Sequence, residues 1–157
     1  VADYEALLEQ VFQEVARVTK PDGLATVVFH SSKIAVWNAV ANAFRSAELD
    51  VLDASVLDKT QVSFKQAVSP SSARGDALFL LAPTLANDVE AAAEDEPSNV
   101  IDFVFARAHA HEHRDERRPD RLYSRYVGQC VTSGVPVSME TGEFYRLVAD
   151  RQERAAL

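Results

Sequence analysis

Three groups of side chains in this 157-residue chain have the types and spacing for chemistry. The first is His30-Ser31-Ser32-Lys33, a polar run directly after the apolar segment Leu24-Ala25-Thr26-Val27-Val28-Phe29. If that segment is a strand of an open α/β sheet, the run lies at its carboxyl end, where such sheets place their ligands. An imidazole, two hydroxyls and an ammonium can hydrogen-bond or meet an anion there; the plainer role for His30 is a polar cap on the strand end. The second group is His109, His111 and His113. Their alternation would put all three on one face of a strand, where they could hold a metal. Arg107, Arg114, Arg117 and Arg118 nearby repel a cation, so an exposed polar segment without metal is the expectation. The third group, Arg117, Arg118, Arg121 and Arg125, offers guanidinium groups to phosphate, with a solvated charged linker as the alternative.

The elements that position these groups follow from periodicity. Tyr4, Leu7, Leu8, Val11, Phe12, Val15 and Val18 recur at helical spacing, with Asp3 as cap and Lys20-Pro21-Asp22-Gly23 as terminator. Leu24–Phe29 runs without alternation, the pattern of a strand buried on both faces. Val36, Trp37, Val40, Ala41 and Phe44 predict a second helix, with Trp37 in the core. Leu49–Leu57 and Ala77–Leu81 predict two further strands, separated by a long polar stretch, Lys59 to Gly75. Residues 84–120 read as an acidic and then basic linker. Leu122, Tyr123, Tyr126, Val127 and Cys130 share a helical face, Gly134 and Pro136 break it, and Phe144, Tyr145 and Val148 predict a last helix.

Composition narrows the class of protein. Hydrophobic residues are 47% and charged residues 25%, as in globular proteins, and no apolar run is long enough to span a bilayer. The net charge of -8 argues against a surface that grips phosphate throughout, though not against a local nucleic-acid contact. The single cysteine, Cys130, forms neither an internal disulfide nor a zinc cluster and reads as core, which makes a reducing cytoplasm the expected compartment. Val1-Ala2-Asp3-Tyr4-Glu5 lacks the basic and apolar regions of a signal peptide, and the absence of an initiator Met suggests a mature form or an excised piece.

Glu14-Val15-Ala16-Arg17-Val18-Thr19-Lys20-Pro21-Asp22-Gly23-Leu24 resembles the E-x-x-R-V-L-K-P-G-G turn into the fifth strand of class I S-adenosyl-L-methionine-dependent methyltransferases. Phe29-His30, Trp37 and Ala43-Phe44-Arg45-Ser46-Ala47-Glu48-Leu49 are similar to that family's next helix and sixth strand. Ser63-Phe64-Lys65-Gln66 and Arg74-Gly75-Asp76-Ala77-Leu78-Phe79-Leu80 resemble the loop and seventh strand of bacterial adenine-specific DNA methylases, as does the later Leu122-Tyr123-Ser124-Arg125-Tyr126-Val127. The resemblance covers residues 1–83 closely and the rest loosely. Asp22 and Glu48 stand where the family has glycine, a change that affects turns needing positive φ.

The resemblance implies an α/β fold: a partial Rossmann-like sheet of the fifth, sixth and seventh strands, the last antiparallel and inserted between the others. It implies three segments: 1–83 in the methyltransferase domain, 84–120 as linker and 121–157 as a small helical extension. It also implies DNA as partner, with His30, Ser31, Lys33, Phe64 and Lys65 on the target-base side. Phe64 would stack on a base or plug the core, and Lys65 would meet a phosphate. S-adenosyl-L-methionine belongs to the parent enzyme only. The chain has five glycines, no G-x-G cluster and no Asp/Asn-Pro-Pro-Tyr/Phe motif, so it is expected to be inactive alone. The implied partners are the amino-terminal half of the domain and a second copy joined through an open sheet edge. A methyltransferase for small molecules or proteins, and a non-enzymatic interaction module, are the alternatives.

Overall fold

The computed structural model describes residues 2–58, 75–84, 97–111 and 114–155. Helix α1, Ala2–Val18, has Asp3 and Glu5 in its first turn and Arg17 in its last, each on the favourable end of the helix dipole. It drives Phe12 into the core, with the ring 4.6 Å from that of Phe44. After the turn closed by Gly23 N donating to Lys20 O come strand β1, Ala25–Phe29, and helix α2, Ile34–Ser46. Strand β2 is Leu49–Asp58, and strand β3 is Gly75–Pro83.

The sheet order is β1-β3-β2, with β3 antiparallel to both neighbours. β1 and β2 are therefore parallel to each other, and their carboxyl ends share one edge. The order expected for the three strands is the order found. The described chain is mixed α/β, with five helices and a three-stranded antiparallel sheet.

Directly opposed residues of an antiparallel pair share a face, so the register assigns the two sides of the sheet. Val27, Phe79 and Ala54 are opposed in one row. Their side is the helical one: Phe79 lies 6.4 Å from Trp37 and 5.6 Å from Phe44, centroid to centroid. The other side carries Thr26, Val28, Leu78, Leu80 and Leu57. Val28 and Leu57 are each 46% exposed there. A strand buried on both faces was expected at β1. Its burial instead alternates, because among the described residues helices cover one face only. Leu52 is an extra residue in β2, between the pairs Val51–Leu81 and Asp53–Leu80, a bulge that bends the strand.

Helix α3, Pro97–Ala110, occupies part of the stretch expected as a linker. Val100, Ile101, Val104, Phe105 and Ala108 are buried along one stripe, and their burial prevails over the charged residues around them. A 3-10 turn, Arg114–Arg117, leads to helix α4, Pro119–Thr132, and helix α5 is Thr141–Ala155. Residues 121–157 were expected as an extension. Leu122, Tyr123, Tyr126 and Phe144 of this part lie in the same core cluster as Trp37 and Phe79. Gly128 lets α4 approach the sheet: a Cβ at that position would stand 2.9 Å from the Ala54 Cβ. The Asn38 amide donates to Val137 O at 3.1 Å and accepts from Val137 N at 2.9 Å, tying α2 to the segment after α4. Among the described residues, no helix is long and apolar enough to cross a membrane.

Two helix ends show what glycine does in this chain. Gly134 ends α4 at φ 72°, with Val135 N donating to Cys130 O and Gly134 N to Val131 O, the paired bonds of a Schellman close. Glu48 ends α2 at φ 55° with a side chain in place. An L-residue in that region strains its Cβ against the carbonyl, at about 1–2 kcal/mol, and glycine escapes most of this despite its greater entropy loss. Glu48→Gly is therefore expected to stabilise the fold by about 0.5–1 kcal/mol. Urea unfolding checks it: the midpoint rises at constant slope, and a fall in midpoint rejects the account of strain.

Candidate functional site

The carboxyl ends of β1 and β2 and the amino end of β3 meet at one edge, and the first polar group of the sequence lies there. His30 follows Phe29, whose register partner is Ala77, so His30 stands opposite Asp76 on β3. The imidazole Nδ1 lies 3.2 Å from Asp76 Oδ1, with the two side chains 31% and 11% exposed. The strand pairing thus sets an imidazole beside a carboxylate that is largely removed from water. Ser31 holds the next turn. Its carbonyl accepts from Trp37 Nε1 at 2.9 Å, and its Oγ accepts from Lys33 N at 3.1 Å. Lys33 is exposed and precedes α2. His30, Ser31 and Lys33 are thus brought together at the carboxyl edge. Phe64 and Lys65 lie outside the described residues; the segment that carries them leaves and returns at Asp58 and Gly75, register partners at that edge.

The arginines are placed otherwise. Glu116 accepts hydrogen bonds from Arg121 and, at 2.6 Å, from Arg125 Nε. Arg118 pairs with Asp120 at 3.1 Å, and Arg117 donates to His109 O at 3.0 Å. The four candidates for phosphate contact all engage protein groups, and Arg121 and Arg125 serve a buried carboxylate. Burial pushes the Glu116 carboxyl up, but the hydrogen bonds and charges of Arg125 and Arg121 outweigh it and hold the pKa below the ordinary value.

His109 and His111 do not lie on a strand, and His113 lies outside the described residues. His109 ends α3, its Nδ1 2.9 Å from Phe105 O, and among the described residues no group of His, Cys, Asp or Glu could hold a metal ion. Burial pushes the Cys130 thiol up to about 12, so it packs as an inert core residue.

Comparison with protein-family models, curated proteins and solved structures finds no match.

The weight of the site therefore falls on its own geometry. Asp76 is the functional candidate that sequence reasoning passed over. Its signal was an acidic residue at the head of an apolar strand, but its partner becomes visible only when β3 is paired antiparallel to β1. Clefts open elsewhere: one of about 370 Å³ beside Arg17, Glu48 and Thr84, and one of about 210 Å³ beside His109, Arg117 and Arg151. S-adenosyl-L-methionine does not fit the residues at the carboxyl edge. The loop after β1 has no glycine to let backbone close on a ligand, and the Trp37 indole occupies the Ser31 carbonyl.

Proposed function

We propose that this chain is the carboxyl-terminal part of a class I methyltransferase that modifies the exocyclic amine of adenine or cytosine in DNA. In this reading it supplies structure on the DNA side and is not catalytic alone, and the enzyme serves restriction-modification or a related role. The observation that supports the reading best is the strand order: a reversed β3 between parallel β1 and β2. The motifs near Lys20-Pro21, Trp37 and Phe64-Lys65 bear on the same assignment. The methyl donor is held by the amino-terminal half of the domain.

Binding of S-adenosyl-L-methionine, measured by calorimetry on this chain and on the full-length protein, tests the proposal. Binding by the full-length protein only, with labelled methyl transferred to DNA, is the expected result. Binding by this chain alone, or transfer only to a protein or small molecule, rejects it.

The uncovered surfaces support the same reading. β1 is an edge strand, and Leu24 and Val28 are exposed beside it. On α1, Tyr4, Leu7, Val11 and Val18 form an exposed apolar stripe. The amino-terminal half would cover both. Without it, the chain is expected to self-associate through β1. Val28→Lys puts a charge on the edge and is expected to lower the association by tenfold or more, on the order of 1.4 kcal/mol. Sedimentation velocity over a concentration series reads this, and a wild-type chain that stays monomeric throughout removes the expectation.

A further inference from the structure

The cleft of about 210 Å³ between α3, the 3-10 turn, α4 and α5 differs from the other clefts in charge. Arg117 and Arg151 line it, and no Asp or Glu does. The cleft beside Arg17 has Glu48 in its wall, and a smaller one beside Arg107 and Arg125 has Asp53. In a chain with 24 acidic and 16 basic residues, a wall whose full charges are arginines alone favours an anion. A guanidinium has five N–H donors. Arg117 gives one to His109 O at 3.0 Å, and Arg151 gives one to Asp102 Oδ1 at 2.7 Å, so both keep donors for a further acceptor. Asp102 is 66% exposed, and solvent screens its hold on Arg151.

The donors are held in place by their surroundings. The guanidinium carbon of Arg151 stands 4.5 Å from the centre of the Phe105 ring, a stack that restricts where the group can turn. Gln152 Nε2 donates to Arg117 O at 3.3 Å, so α5, the turn and α3 are tied together around the opening. Phe105 and Leu122 supply an apolar inner wall. Size limits the occupant. A cavity of about 150 Å³ accepts one benzene ring, so about 210 Å³ takes a ring with a small polar group attached.

We propose that this cleft binds a small organic anion, one apolar ring bearing a carboxylate or phosphate group. The ring lies against Phe105 and Leu122, and the anionic group accepts hydrogen bonds from Arg117 and Arg151. The site stands apart from the carboxyl edge of the sheet and does not depend on the methyltransferase reading.

Benzoate and phenyl phosphate are the probes, titrated into this chain and followed through its amide proton–nitrogen shifts. At least one is expected to saturate with a Kd of about 1 mM or below, moving signals of α3, the turn and α5. The neutral counterparts, benzamide and phenol, and the ring-free ones, acetate and inorganic phosphate, are expected to bind at least about tenfold more weakly. Arg117→Gln and Arg151→Gln should each weaken the anion at least about tenfold, and Arg151→Lys, which keeps the charge without the fork, should fall between. Neutral rings that bind as tightly as the anions, anions that do not saturate by about 10 mM, or wild-type affinity in both glutamine variants overturn the proposal. The comparison of ligands uses the wild-type chain, so it decides the matter even where Arg151→Gln fails to fold.

Discussion

Glu116→Ala is expected to destabilise the fold by about 3 kcal/mol, toward the lower end of what removing one partner of a buried ion pair does. Glu116 is 6% exposed and holds Arg121 and Arg125, whose side chains are 13% and 21% exposed. Removing the carboxylate takes from both guanidinium groups the anion that they share. Some solvent still reaches Arg125, which moderates the loss. The three residues also join the 3-10 turn to α4, so the turn should loosen with them. Urea unfolding at neutral pH measures the loss, and a change below about 1 kcal/mol would show the cluster to be a screened surface pair.

The same cluster sets an acid limit. The Glu116 pKa is lower in the folded chain than its ordinary value of 4.5. A depressed carboxyl stabilises the fold above the unfolded pKa and loses that contribution as pH falls through the folded one. Wild-type stability should therefore fall as pH drops below 4.5, with a steeper slope than in Glu116→Gln. Parallel slopes in the two proteins would remove Glu116 as the source.

The second large effect is expected at Phe144. Its ring is fully buried, stacked at 5.1 Å on Tyr126 and edge-on at 5.5 Å to Tyr123, with Phe105 at 6.2 Å. Phe144→Ala empties the point where α3, α4 and α5 meet, and a loss of about 3–5 kcal/mol is expected. The shape of the transition carries further information. Phe144 and Phe79 belong to one core cluster, so the mutant should unfold in a single transition with the sheet. Far-ultraviolet circular dichroism and the Trp37 fluorescence should report the same midpoint. If Trp37 keeps the wild-type midpoint while helix is lost earlier, the carboxyl-terminal helices form a unit of their own.

Local patterns sufficed for much of the architecture. The stripe from Leu8 to Val15 made a helix legible because burial at helical spacing is a property of neighbouring residues. The apolar run before His30 made a strand legible in the same way, and Gly134 with Pro136 marked the end of α4 through backbone conformation alone. Helix α3 was legible too, in Val100, Ile101, Val104, Phe105 and Ala108, but the acidic residues ahead of it and the histidines behind it outweighed the stripe. The strand order was expected from family resemblance, since no periodicity reveals which strand lies between which.

Other features needed the chain folded on itself. One-sided burial of β1 depends on which helices reach it, and an apolar run reads alike at an edge and in the middle of a sheet. Arg121 and Arg125 were candidates for phosphate contact beside the plainer reading of a solvated linker, and their pairing with Glu116 is visible only in the fold. His30 was a polar residue after a strand until antiparallel pairing set Asp76 across from it. Charge and hydrogen-bond partners distant along the chain are chosen by packing, because an ionised group settles its desolvation with whatever the fold places within a few ångströms. Composition records that such groups exist, and the register of the sheet decides which of them meet.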